Sequence, residues 1–220
     1  MLEDAAAAPS FDHPIFSESI RRIRQALSAQ GGLGQLTPLE QEVVLRLIHS
    51  SGDLSLAKDL RITPGACEAG VAALAAGAPL LTDTAMAAAA VAPMARRTFG
   101  NAVHSVLEWA PSSPPPGSTR TAAGMAPALR ELPGAVVLIG SAPTALDVLL
   151  ELVASGSAAP ALVIGMPVGF VGVAESKARL AAMAQALPQI RLEGSRGGAG
   201  LVGAAANALL RHGWLARPHP

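Results

Sequence analysis

Five histidines, at positions 13, 49, 104, 212 and 219, are the side chains of this sequence best suited to moving a proton near neutral pH. An unperturbed imidazole titrates at about 6.5. His49 is set apart by its surroundings, R-L-I-H-S-S-G-D from Arg46 to Asp53, where a strong helical pattern runs out at Gly52. Pattern alone leaves two readings open. A histidine in a last turn complements the helix dipole without any further role; the same position also suits a proton donor at the mouth of a pocket. His104 alternates with apolar residues and reads as a hydrogen-bonded structural histidine, while His212 and His219 fall in a Gly/Pro-interrupted tail and read as solvated. No two histidines have the spacing of paired metal ligands, so no metal site is expected.

Other chemistries are disfavoured by what the chain lacks. Gly198-Ala-Gly200-Leu-Val-Gly203 matches G-x-G-x-x-G, but no acidic residue follows Glu193 to hold a ribose. What remains reasonable there is an anion held by backbone N–H groups and Arg196. There is no G-K-[ST] phosphate loop and no G-x-S-x-G elbow. Cys67, the only cysteine, sits in an Ala-rich helix as a packing residue, which rules out an internal disulfide and multi-cysteine metal centres.

These residues need elements to hold them. Residues 1–12 read as a flexible leader, 13–212 as one domain and 213–220 as a tail. A helix is expected from His13, with Ile15, Ile20, Ile23 and Leu27 at helical spacing. The next opens on T-P-L-E, with Thr37 as N-cap, Pro38 at the first position and Glu40 closing a capping box. The signal recurs as T-P-G-A-C-E at Thr63 to Glu68, and Gly77 stops that helix. Short apolar strands then alternate with helical patterns, at Pro79–Thr84, Ala135–Thr144, Ala161–Phe170 and Ile190–Gly198, with a further strand at Ala102–Leu107 before a long loop, Trp109–Arg120. Runs such as V-V-L-I fit strands buried on both faces. The fold class expected is α/β: a single doubly wound domain with a mainly parallel sheet, whose strand ends gather Asp83, Thr84, Ser141, Thr144, Gly165, Ser195 and Arg196 on one edge.

Composition narrows the partners. The 220 residues carry 16 basic and 16 acidic side chains, with 3% aromatics and no Tyr. Without a basic patch or stacking residues, nucleic acid is not an expected partner. The start of the chain has no basic region followed by an apolar run, and apolar stretches are broken by Gly and Pro, so a soluble cytoplasmic protein without membrane association is expected.

Several stretches form a specific set in their order and spacing: I-H-S-S-G-D (Ile48–Asp53), A-G-A-P-L-L-T-D-T-A-M (Ala76–Met86), G-S-T-R-T-A-A (Gly117–Ala123), I-G-S-A-P-T-A-L (Ile139–Leu146), G-M-P-V-G-F-V-G-V-A-E-S-K (Gly165–Lys177), R-G-G (Arg196–Gly198) and A-A-A-N-A-L (Ala204–Leu209). On these motifs the chain, from about Pro14 to Leu210, resembles the precorrin-8X methylmutase family of cobalamin biosynthesis. The resemblance implies a Rossmann-like homodimer without a dissociable cofactor. It also implies an isomerase that moves a methyl group from C11 to C12 of precorrin-8X, or of cobalt-precorrin-8, to give hydrogenobyrinic acid or its cobalt form. The family's catalytic histidine falls on His49, as general acid.

A corrinoid is a broad disc fringed with carboxylates, so the resemblance implies an apolar floor and a rim of cations and N–H donors. Met166, Pro167, Val168, Gly169 and Phe170 are expected at the floor, although Met166 and Phe170 also suit a plain core. Arg120, Arg196 and Lys177 are expected to pair with carboxylates, although Lys177 also suits a solvated helix face. Ser19, Asp83, Thr84, Thr119, Ser141, Thr144, Gly197 and Gly198 complete the expected contacts. Ser118, Ser141, Ser195 and Ala199 depart from the family pattern. A corrinoid carrier without turnover is the alternative reading; retention of His49 favours the enzyme.

Overall fold

A computed structural model describes residues 11–217. The runs V-V-L-I and L-V-I-G form its centre, β4 (Val136–Ile139) and β5 (Leu162–Gly165), with every residue buried. Alternate side chains explain the continuous run: Val136 and Leu138 enter one core, Val137 and Ile139 the other. Outside them lie β2 (Leu80–Thr82), β3 (Val103–Ser105) and β6 (Gln189–Leu192), so that these five strands are mutually parallel. One further strand, β1 (Leu60–Ile62), pairs antiparallel on β6 and closes that edge, giving the order β1-β6-β5-β4-β2-β3. The sequence reading had no strand there.

From β2 the chain winds outward to β3, and from β4 it winds the other way through β5 to β6. The reversal falls between β2 and β4, which makes their carboxyl ends the topological switch point of a doubly wound sheet. One face is covered by α2 (Pro38–Ser51), α4 (Ala66–Ala75), α5 (Ala85–Arg97) and α9 (Ala199–Leu215). The other is covered by α6 (Arg120–Glu131), α7 (Pro143–Ala154) and α8 (Val173–Ala182). α1 (Pro14–Ser28) lies outside this sandwich against α2, and a single turn, α3 (Leu56–Asp59), leads into β1.

Local signals set most boundaries. Thr37 and Glu40 form the expected reciprocal capping box, and Gly52 ends α2 at φ 71°, a left-handed position that glycine takes without strain. Thr63 does not repeat that role. α4 starts behind Gly65 without a side-chain cap, and Thr63 instead accepts from the backbone N–H of Gln189 at 3.0 Å. The Thr63 hydroxyl is spent on tying the sheet edge. The Ala-rich α5 lies close against α9: a Cβ on Gly203 would be 2.7 Å from that of Ala90.

The two ends of the described chain are tied to the fold. Phe11 and Asp12 belong to the fold, with Arg97 stacked on the Phe11 ring and Arg211 paired to Asp12. At the other end α9 runs on through Gly213 to Leu215, and Gly213 is buried against Val71 and Phe99. His212 is therefore a helical residue, 3.1 Å from Glu42, and not part of a solvated tail. Residues 1–10 of the expected leader and His219 lie outside the described residues. Among the described residues no helix is long and apolar enough to cross a membrane.

Candidate functional site

The last turn of α2 brings His49 against α1. Its Nδ1 lies 2.8 Å from Oγ of Ser19, and the ring meets Phe16 edge-on at 5.1 Å between centroids. With Nδ1 engaged by the hydroxyl, Nε2 is the nitrogen available to exchange a proton with a ligand. One turn back on the same helix face, the guanidinium of Arg46 stacks 4.6 Å from the centroid of the same Phe16 ring. Partial burial, and then the charge of Arg46, hold the His49 pKa below its usual 6.5. The ring is therefore mostly neutral at pH 7 in the free protein.

Arg46 is half-buried and forms no salt bridge with a carboxylate among the described residues. Sequence reasoning passed it over. The signal was there in Arg46-x-x-His49, a spacing that puts both side chains on one helix face. A cavity of about 260 Å³ opens beside this corner beneath α1, lined by Phe16, Ile20, Leu45, Arg46 and Arg211 among others. Ligand pockets run to roughly 300–1,000 Å³, so this one is too small for a macrocycle.

The carboxyl edge of the sheet supplies a second group. Thr119 caps α6 through the N–H of Ala122, and its Oγ1 lies 2.8 Å from that of Thr144 in the first turn of α7. Arg120, at the first position of α6, is exposed, its Nε donating to the Pro111 carbonyl at 3.1 Å. Thr84 caps α5, and Ser141 is half-buried in the loop between β4 and α7. Next in the chain to this edge, Val168, Phe170 and Val171 are 47%, 94% and 87% exposed. The stretch is held by the Gly169 N–H donating to the Ser195 carbonyl.

Four expected contacts are turned inward. Met166 and Pro167 are buried and belong to the core below the exposed stretch. Asp83 is wholly buried, its Oδ2 accepting from the N–H groups of Gly140, Ser141 and Ala142 at 3.0, 2.5 and 2.8 Å. Lys177 does not solvate a helix face. It is 4% exposed, and its Nζ donates to the carbonyls of Gly194 and Arg196 at 2.7 Å each. Burial lowers its pKa to about 8.

Arg196 points away from the crevice to Asp53, Asp59 and Ser55, and its charge is spent on tying the β6–α9 loop to the segment just past His49. Gly197 and Gly198 form the floor of that loop. A Cβ on Gly197 would strike the Met166 carbonyl, and the Gly198 N–H already donates to that oxygen at 2.9 Å. The anion held by these groups together with Arg196 is not supported by this arrangement.

His104 pairs with Glu108 at 2.9 Å and stacks edge-on with Trp109, the structural role expected of it. Cys67 is buried, and its thiol is pushed up to about 12, which makes it inert near neutral pH. Among the described residues no three His, Cys, Asp or Glu converge as metal ligands.

The family model for precorrin-8X methylmutase (CbiC) matches residues 14–212. The precorrin-8X methylmutase of Pseudomonas aeruginosa is 41% identical, covering 89% of this chain and 93% of its own. The cobalt-precorrin-8 methylmutase of Synechocystis is 35% identical, covering 92% and 97%. The solved precorrin-8X methylmutase of Thermus thermophilus superposes with a TM-score of 0.80 at 41% identity, over 90% of this chain and 95% of that one. A match over nearly the whole chain in sequence and in structure leaves one conclusion: the chain belongs to the precorrin-8X methylmutase family, isomerases that carry out an intramolecular methyl transfer in cobalamin biosynthesis.

Proposed function

We propose that this chain moves the methyl group of precorrin-8X, or of its cobalt form, from C11 to C12 of the ring-contracted tetrapyrrole, with His49 as general acid. The observation that carries the reading is the His49 corner: an imidazole fixed through Nδ1 by Ser19, with a half-buried guanidinium one turn away. Protonating the macrocycle makes it a better electron sink and eases migration of the methyl group. Product conjugation supplies the driving force, so the protein has mainly to position the ring and offset charge.

The lowered pKa of His49 fits this chemistry once the substrate is counted. Arg46 is one of the two causes that hold the proton off. A rim carboxylate landing on Arg46 cancels that charge and brings further negative charge close, so His49 takes up its proton as the ligand binds. Arg120 supports a second carboxylate, and the hydroxyls of Thr119, Ser141 and Thr144 support its rim. The exposed Val168, Phe170 and Val171 suit either the apolar face of the disc or the surface of a second copy of the chain. A homodimer belongs to this proposal, and light scattering at working concentration tests it.

The deciding experiment incubates the protein with excess precorrin-8X beside its His49→Ala variant. Many turnovers to hydrogenobyrinic acid in the first, and binding without conversion in the second, support the reading. Saturation at one ligand per site in both makes the protein a carrier. Equal turnover in both removes His49 from the chemistry.

A further inference from the structure

Asp83 is the only buried carboxylate among the described residues, and the mechanism above does not use it. It follows β2 at the switch point and faces the loop after β4, where a doubly wound sheet commonly seats an anionic ligand at the N-terminus of the next helix. That helix, α7, has Ala142 as its N-cap and no side-chain cap of its own. Asp83 supplies the cap from across the sheet, one oxygen accepting three consecutive N–H groups in the manner of a backbone anion nest. Its other oxygen, Oδ1, is buried and has no hydrogen-bond partner. The capped loop carries Ser141 and leads into Thr144, which is bonded in turn to Thr119 at the start of α6.

We infer that Asp83 is a positioning residue whose carboxylate is a built-in anion: it fills the seat that a phosphate group would take and sets the Ser141–Thr144–Thr119 rim against the substrate. The inference rests on reading that rim as substrate-binding. It explains why the polar edge takes carboxylates through side chains while the N–H groups of Gly140, Ser141 and Ala142 remain closed to ligand. The seat in Asp83→Ala is empty and of the right chemistry for a small carboxylate.

The test uses sodium formate as probe, against sodium chloride at equal ionic strength, on the wild type, Asp83→Ala and Asp83→Asn. Formate is expected to raise the melting temperature of Asp83→Ala and to leave the wild type where chloride leaves it. With precorrin-8X, Asp83→Ala is expected to lose roughly 10- to 100-fold in kcat through misplacement of the rim, and formate to restore part of it. Wild-type kcat and KM in a folded Asp83→Ala, or no formate effect on either its melting or its kcat, overturns the inference.

Should Asp83→Ala fail to fold, Asp83→Asn decides, because its amide oxygen can accept the same three N–H groups without charge. A lowered kcat at unchanged KM supports the role, and wild-type kinetics overturn it. A wild type without turnover, beside an Asp83→Ala that still melts higher in formate, supports the filled seat and overturns the methylmutase reading instead.

Discussion

Two regions of this molecule are built from the same kinds of side chain and use them in opposite ways. At the α1–α2 corner, Arg46 forms no salt bridge among the described residues and feels the Asp12 carboxylate only at longer range, His49 is exposed, and Ser19 holds only one of its ring nitrogens. At the sheet's carboxyl edge, Asp83 Oδ2, Lys177 and Arg196 are all engaged from within, by three N–H groups, two carbonyls and two carboxylates respectively, while Asp83 Oδ1 is buried without a hydrogen-bond partner. The difference separates reading from scaffold. A charge left open at modest burial is poised for a ligand, whereas a charge fully paired by the chain fixes a loop and has nothing left to offer. Lys177 and Arg196 work as a brace: one holds the β6–α9 loop, and the other ties that loop to Asp53, four residues past His49.

If the corner is the reactive region, His49→Ala should cause the largest loss. General acid catalysis contributes about 10²–10⁴-fold, so kcat should fall by that order while corrinoid affinity, read by absorbance titration, stays close to wild type. A loss of affinity with kcat intact would invert the comparison. On the scaffold side, Lys177→Met should leave the Gly194 and Arg196 carbonyls unpaired and cost about 1–3 kcal/mol in urea unfolding.

The pH dependence of that stability has a definite sign. Lys177 releases its proton near pH 8 when folded and near 10.5 when unfolded. Between these values the unfolded chain binds more protons, so this group makes stability rise with pH across that window. Lys177→Met should flatten the rise.

Arg46→Met tests the open cation. Loss of one carboxylate contact should raise KM about tenfold, the equivalent of ~1.4 kcal/mol, and should raise the His49 pKa in the free protein, because a charge that lowers it is gone. Smallest is Ser19→Ala: one hydrogen bond of about 0.5–1.5 kcal/mol orients the ring, so kcat should fall only a few-fold in stopped-flow assays, with KM unchanged.

The parts of this division that local chemistry decides were legible in the sequence. The buried runs of β4 and β5, the Thr37–Glu40 box and the Gly52 stop depend on neighbours in the chain and stand where they were expected. His49 and Ser19 could be matched by motif, but their contact spans 30 positions and only the fold closes it. The inward turn of Lys177 and Arg196 was not readable. Their partners come from carbonyls 17 and 19 residues on and carboxylates 143 and 137 residues back, and no periodicity marks such pairs. β1 was missed for a related reason: three residues on an antiparallel edge are too few to show alternation.

The most direct measurement is an NMR titration of the His49 imidazole, free and with bound hydrogenobyrinic acid. The account predicts an apparent pKa below 6.5 in the free protein and an upward shift on binding that Arg46→Met blunts. A free value at or above 6.5 that the ligand leaves unmoved would contradict it, and His49 would then be no more than the end of a helix.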